Sequence, residues 1–276
     1  MPELPEVETI RNDLLPQLVG RHFTGVKLFD NQIVRQPLPE EFRRRLVGQT
    51  IKDIRRRGKY LIFQLSNGEV LIMHLKMSGF LRLQPSAKPE PYTRAIFHLD
   101  NDTKLRFCDQ RKFGVIWLMK DEVEIVGKLG PEPLEPSFTP EVLSRLLHQH
   151  SMPIKALLCD QNIIAGIGNM YADEALFDAQ IHPLRKAKDL NGEEVQRLHQ
   201  AIRQVLNAGI KQSGASVDTY QRPNGELGTA HFSFQVAHRN NELCYNCHTP
   251  LARILVRGRG TYFCPKCQGD KQPKLI

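Results

Sequence analysis

Four cysteines close to the C-terminal end of the 276-residue chain stand as two Cys-x2-Cys pairs, Cys244 with Cys247 and Cys264 with Cys267. Paired thiolates on two turns can close a tetrahedron around one zinc ion, and a four-cysteine set leaves no open coordination position, so the expected metal is a single structural zinc. Redox use of the pairs is the weaker alternative. Arg253, Arg257 and Arg259 stand between the pairs around Gly258 and Gly260, a pattern that reads as a β-hairpin turn. A glycine-flanked arginine there can approach a phosphate, and a plain solvated turn is the competing reading. The remaining cysteines, Cys108 and Cys159, stand alone, which is poor material for a disulfide framework and fits the cytosol.

The opposite end carries a different chemistry. Met1-Pro2 favours removal of the initiator methionine, and removal leaves Pro2 as a secondary α-amine. Such a group has a reference pKa of about 7.7–8.0, far below lysine, so a neutral fraction is present at physiological pH to attack a sugar C1′. Glu3 and Glu6 lie beside it as proton donors or acceptors, whereas Glu8 reads as an ordinary acidic residue near a helix start. A basic run from Arg43 to Lys59 is interrupted only by Asp53, and the chain carries a net charge of +8. A surplus of this kind favours a polyanion, with nucleic acid ahead of an anionic membrane. Gly166-Ile167-Gly168-Asn169 precedes a helix and has the form of a phosphate-binding turn, although tight packing alone explains many such glycines. No apolar run approaches the roughly 18–20 residues that span a bilayer, and the early glutamates are unlike a secretory leader. A soluble, cytoplasmic protein with no membrane association is expected.

These residues need elements to position them. Val7, Ile10, Leu14, Leu15 and Leu18 recur at helical spacing up to Gly20, which predicts an N-terminal amphipathic helix. From His22 to Met119 the pattern changes to short or alternating apolar runs, including Tyr60–Leu65, Val70–Leu75 and Val115–Met119, the signature of a β-sandwich. Proline-rich 129–136 reads as linker. Thr139-Pro140 then caps a helix, further helices are expected over Lys155–Asp160 and Met170–Ala179, and a long one from Asn191 to about Lys211. Gln221–Thr229, polar and glycine-rich, reads as a mobile loop. The fold class is therefore α+β, with domains at 1–130, 138–234 and 235–269, a linker at 131–137 and a tail at 270–276.

Seven motifs in order along the chain resemble the formamidopyrimidine-DNA glycosylase family: Met-Pro-Glu-Leu-Pro-Glu-Val-Glu-Thr at 1–9, Arg-Arg-Gly-Lys-Tyr-Leu at 56–61, His-Leu-Lys-Met-Ser-Gly at 74–79, Arg-Lys-Phe-Gly at 111–114, Leu-Gly-Pro-Glu-Pro-Leu at 129–134, Gly-Ile-Gly-Asn-Met-Tyr-Ala-Asp-Glu at 166–174, and the cysteine finger. The resemblance implies a β-sandwich with its leading helix, a helix-two-turn-helix DNA-binding domain with a lesion-capping loop, and a C-terminal zinc finger. It implies a monomer that excises oxidised purines, formamidopyrimidines and 8-oxoguanine, from double-stranded DNA and cleaves the abasic site by β,δ-elimination. Pro2 matches the Schiff-base nucleophile and Glu3 the proton donor, with Glu6 in support. Lys59 matches the residue that assists β-elimination, and Arg259 the one linked to δ-elimination. His74, Lys59 and Asn169 match phosphate contacts. Met77, Arg111 and Phe113 match the trio that enters the duplex, filling the vacated space, addressing the orphaned cytosine and wedging the stack. Read by hydropathy alone, Met77 and Phe113 would be assigned to the core.

Five residues, at four places in the chain, depart from the family pattern. Tyr92 stands where a DNA-contacting histidine is common and Ser151 where a lysine is frequent. Asp218 reverses a usual basic charge, and Ala237-His238-Arg239 replaces Tyr-Gly-Arg. None touches Pro2, Glu3, Lys59 or Arg259. The sister branch acting on oxidised pyrimidines usually has glycine at the position of Leu4 and lacks the Arg111 and Phe113 pattern. A noncatalytic zinc-finger protein that binds DNA would leave Pro2, Glu3 and Lys59 unexplained.

Overall fold

The computed structural model describes residues 1–84 and 90–269, so the expected tail at 270–276 lies outside the described residues. The chain divides into two compact units, one formed by Met1–Lys128 with Gly209–Ala230 and the other by Leu129–Ala208 with the remainder from His231.

The first unit opens with α1 (Leu4–Leu18), which buries Leu4, Val7, Ile10, Leu14 and Leu18. Its end is set by Gly20, whose φ of +85° is the left-handed conformation that glycine adopts without cost. The strands and short helices that follow are β1 (Phe23–Leu28), β2 (Val34–Gln36), α2 (Pro39–Leu46), β3 (Ile51–Arg57), β4 (Tyr60–Leu65), β5 (Val70–His74), β6 (Gly79–Gln84), β7 (Thr93–Leu99), β8 (Lys104–Asp109), β9 (Val115–Met119) and α3 (Val123–Val126). They form a four-stranded sheet in the order β1-β7-β8-β6 and a five-stranded sheet in the order β2-β9-β5-β4-β3. All ladders are antiparallel except β2 with β9. Inward residues of both sheets share one core with α1, in which Phe23, Phe42, Phe63, Phe97 and Phe107 are fully buried. Each such ring contributes about 1.5–3 kcal/mol relative to exposure.

A helix, α2, lies inside the region read as all β. Pro39 at its first turn, Glu40 and Glu41 after it, and arginines at its end satisfy the helix dipole from both sides. Apolar Phe42 and Leu46 are its only buried residues, too short a pattern for periodicity to register.

The second segment of this unit is tied down by side chains. Arg222 makes a two-pronged bond to Asp13, at 2.9 and 2.7 Å. Arg82 donates to the side chain of Gln221 and to the carbonyl of Arg222, Leu83 N donates to the Pro223 carbonyl, and Tyr220 enters the core.

The second unit contains α4 (Pro140–His148), α5 (Ile154–Leu158), α6 (Asn169–Asp178), most of α7 (Gly192–Lys211), and a hairpin of β10 (Ala252–Val256) and β11 (Arg259–Phe263). Thr139 caps α4 by accepting from Val142 N at 3.4 Å. In α6 the run Met170–Phe177 is buried throughout, as befits a central helix. Arg257 (φ 47°) and Gly258 (φ 78°) form the two-residue turn between β10 and β11. Positive φ at both positions is the turn geometry that matches the strand twist of a hairpin.

Candidate active site and metal centre

The N-terminal residues are held by a closed set of hydrogen bonds. Glu3 caps α1 while its own N–H donates to Glu6 Oε2 at 2.7 Å. The other oxygen of Glu6 accepts from Ala215 N at 2.8 Å, and Glu6 is fully buried. Gly214 sits against this carboxylate with φ +79°, and a Cβ there would come within 2.9 Å of Glu6 Cγ. Both oxygens of Glu6 are thus committed to backbone donors, so Glu6 fixes the backbone around Pro2 and Glu3. Pro2 and Glu3 are themselves buried.

Lys59 follows Gly58 in the turn between β3 and β4 and is only 5% exposed. On the adjacent strand, His74 is buried with its ring nearly perpendicular to that of Tyr60, the two centroids 4.5 Å apart. Burial, reinforced by Lys76 and Lys59, lowers the imidazole to about 3. Its Nδ1 accepts from Lys76 N at 2.9 Å, so the neutral ring carries its proton on Nε2 and is a fixed donor there.

Two loops of the same unit expose apolar groups. Met77 is 41% and Phe113 48% exposed, and the Arg111 guanidinium lies 4.8 Å from the Phe113 ring centroid. Hydropathy assigns both apolar side chains to the core, and the structure overturns that assignment because each sits at the tip of a tight loop. The arginines of the basic run are largely paired with acids, some one helical turn away and others distant in sequence. Arg43 pairs with Glu40, Arg45 with Glu41 and Glu69, Arg55 with Glu122 and Arg56 with Glu8. Most of that run is therefore an ion-paired face, and Lys59 alone of it is a buried lysine beside His74. Tyr92 is half exposed with φ 61°.

In the second unit the sulfur atoms of Cys244, Cys247, Cys264 and Cys267 all lie within 4.8 Å of one another. Sγ separations are 3.8 Å for Cys244 with Cys267 and 3.4 Å for Cys247 with Cys264. A tetrahedron with Zn–S bonds of about 2.3 Å has edges of about 3.8 Å, so the set could hold one metal ion. Cys267 N points at Cys264 Sγ from 3.4 Å, a donor that stabilises a thiolate.

The hairpin is joined to the helices by polar side chains that the sequence reading did not single out as a network. Asn169 Nδ2 donates to the Gly260 carbonyl at 2.7 Å, and Asp173 Oδ2 accepts from Tyr262 N at 3.1 Å. Asp173 also pairs with Lys155 at 2.6 Å, both fully buried, and Lys155 donates to the Asn169 carbonyl as well. Glu174 accepts from the N–H groups of Gln235, Val236 and Ala237 at 2.8–2.9 Å. An Asp-Glu pair in the middle of an apolar helix was the available signal. His238, at the position where the family pattern has glycine, adopts φ 64° and sets its ring 5.6 Å from Tyr262. Arg259 is exposed and lines a pocket of about 300 Å³ with Arg257, Met152, Cys159, Asp160 and Gln161. Ser151 is exposed just before α5. No helix among the described residues is long and apolar enough to cross a membrane.

Comparison with known proteins agrees across the chain. Residues 1–116 match the formamidopyrimidine-DNA glycosylase N-terminal domain and residues 129–221 the formamidopyrimidine-DNA glycosylase H2TH domain. The formamidopyrimidine-DNA glycosylase of Symbiobacterium thermophilum is 44% identical over 97% of this chain and 89% of its own length. That of Geobacillus kaustophilus is 42% identical over 97% of this chain and its full length. Among solved structures, wild-type Lactococcus lactis Fpg in complex with DNA containing N7-benzyl-Fapy-dG has a TM-score of 0.91 at 35% identity, covering 98% of this chain and 100% of that one. The Thermus thermophilus MutM (Fpg) protein gives 0.89 at 39% identity, with 98% and 100% covered.

Proposed function

The chain belongs to the formamidopyrimidine-DNA glycosylase family, DNA repair glycosylases for oxidised purines that also carry AP lyase activity, and from that premise we propose how its residues divide the work. The substrate is duplex DNA bearing a formamidopyrimidine or 8-oxoguanine, as the Lactococcus lactis complex with a Fapy-dG derivative indicates for that relative.

Pro2, with Met1 removed, attacks C1′ of the damaged nucleotide while Glu3 supplies a proton, and the base departs as the C1′–N bond breaks. The resulting iminium acidifies the C2′ proton. Its loss expels the 3′ phosphate, a step assisted by Lys59, and a second elimination linked to Arg259 expels the 5′ phosphate. The observation that carries this reading is the Glu3–Glu6–Ala215 bracket, which commits Glu6 to holding the N-terminal backbone in a fixed, buried position. His74 donates from Nε2 to a phosphate and Asn169 serves a neighbouring one. Tyr92 and Ser151 line the DNA path, and Met77, Arg111 and Phe113 enter the stack at the vacated position. The sandwich, over 1–130, is the catalytic domain, a linker at 131–137 leads to a helical domain at 138–234, whose stretch 209–230 with the lesion-capping loop packs into the sandwich unit, and a finger at 235–269 is closed by one zinc on the four cysteines. The protein acts as a cytoplasmic monomer.

Borohydride reduction of the imine in the presence of abasic duplex tests this. A covalent protein–DNA adduct mapped to Pro2 is expected, with weak trapping by Pro2→Gly and none when an N-terminal extension is left in place. An adduct on Lys59, or full trapping by the extended protein, overturns the assignment.

A further inference from the structure

Met77 and the pair Arg111 and Phe113 come from different strands' ends, yet they are tied together underneath. Asp109, the last residue of β8, is fully buried and carries no ion pair among those found in the described residues; its carboxylate is spent on the two loops. Oδ1 accepts from the Ser78 hydroxyl at 2.5 Å and from Arg111 N at 3.1 Å, and Oδ2 accepts from Gly114 N at 2.6 Å. Ser78 Oγ, 3% exposed, in turn accepts from Arg111 N at 3.1 Å. Ser78 follows Met77 directly, so its hydroxyl and the Asp109 carboxylate tie the residue beside Met77 to the backbone of the loop that carries Arg111 and Phe113.

The flanks of each loop leave little room for independent motion. Gly79 N donates to the Leu75 carbonyl at 3.0 Å, and a Cβ at Gly79 would fall 2.4 Å from that oxygen. On the other loop, a Cβ at Gly114 would fall 2.5 Å from the Phe107 ring, and Lys112 at the tip has φ 60°. Each loop is stiff along its own path, and the Ser78–Asp109 bond is the cross-member between them. Its burial matters, since a carboxylate hydrogen bond shielded from water is stronger and more directional than one at the surface.

We propose that Ser78 and Asp109 are positioning residues that make Met77, Arg111 and Phe113 act as one rigid wedge, so that reading of the base opposite the lesion depends on the position of Met77. This rests on the wedge role given above to the three exposed side chains. A preorganised wedge enters the duplex without first losing the freedom of two separate loops, and the guanidinium meets the opposite base in a set orientation. Without the cross-member, each tip enters alone and Arg111 reads its partner with more freedom.

The test uses the full-length, zinc-loaded protein and measures excision from duplexes with the lesion opposite cytosine and opposite adenine. Wild type, Met77→Ala, Arg111→Ala and their combination form a double-mutant cycle, repeated in a Ser78→Ala background. Expected are a nonadditive cycle in the wild type, an additive one with Ser78→Ala, and a cytosine-to-adenine preference lowered about fivefold by Ser78→Ala, the scale of one lost hydrogen bond. Asp109→Asn, which keeps the volume but cannot accept from all three donors, should lower the preference at least as far, and Ser78→Thr should restore it. Unchanged preference and an unchanged cycle in Ser78→Ala overturn the proposal, and so does a cycle already additive in the wild type. Borohydride trapping on a single-stranded abasic oligonucleotide, which has neither stack nor opposite base, separates the two readings: its absence in the wild type counts against the Pro2 chemistry and leaves the wedge result to stand on its own ratio.

Discussion

The loops of Met77, Arg111 and Phe113 and the cysteine hairpin both hold, at exposed tips, side chains for which a role on DNA is proposed, and they do so by opposite means. Met77, Arg111 and Phe113 stand on a nine-stranded sandwich whose core is deep enough that Asp109 and Ser78 can be buried beneath them. Arg259 stands on a two-stranded hairpin whose buried apolar neighbours are few, namely Phe177, Val236 and Leu251 with two of the cysteines. Two strands alone are marginal in water. Where apolar burial is plentiful, hydrogen bonds suffice to shape a loop; where it is scarce, thiolate coordination and bonds to a neighbouring helix must supply the rigidity.

The sharpest way to break this comparison is to remove the metal. Cys247→Ser, or chelation of the wild type, should cost the hairpin its order and lower DNA affinity by more than about tenfold, because metal binding in such modules is itself folding free energy. The sandwich should be indifferent, with its Trp117 fluorescence melt retained. Metal analysis beside the melt checks this: protein lacking stoichiometric zinc but binding DNA at full strength would mean the hairpin stands without it.

A smaller effect is expected from the helix that braces the hairpin. Asp173→Ala leaves Lys155 as an uncompensated buried charge and removes the acceptor of Tyr262 N, which should cost about 3–5 kcal/mol, the usual scale for breaking one side of a buried pair. Asp173→Asn keeps an acceptor for Tyr262 and should cost less. Denaturant melts of the three proteins rank these, and equal stability of all three would show that the hairpin does not depend on Asp173.

The same contrast explains what could be read without coordinates. Periodicity marked α1, and the bounds of β4, β9 and α4 follow from alternation, turn residues and the Thr139 cap, all local signals. The cysteine spacing marked the four sulfur atoms that the structure brings close enough to hold one metal ion, since ligand geometry is itself written in sequence. Pairing was not legible. Glu8, Glu69 and Glu122 lie 48, 24 and 67 residues from the arginines they meet, so the basic run looked unpaired. The Ser78–Asp109 and Lys155–Asp173 contacts exist only once strands and helices have been assembled. Exposure of Met77 and Phe113 runs against hydropathy, and only the motifs around them gave the signal.

The gentlest test of the sandwich side concerns protons. His74 is held neutral by burial and by the two lysines, with its imidazole near 3 instead of the usual value of about 6.5. Between those limits the unfolded chain binds a proton that the folded one refuses, so the stability that this site contributes is complete above about pH 6.5 and is lost as the pH falls towards 3. The slope from one such group cannot exceed about 1.4 kcal/mol per pH unit. His74→Gln keeps a side chain that can accept from Lys76 N and removes the titration. Urea unfolding at pH 7.5 and pH 5 should therefore show wild type losing about 2 kcal/mol more than the variant, the linkage expected for a group shifted this far. Carboxylates titrating in the same range cancel in the difference. Parallel losses in the two proteins would mean that His74 takes up its proton in the folded state, which would leave Nδ1 unable to accept from Lys76 and the Nε2 donor without the fixed orientation on which the proposed phosphate contact rests.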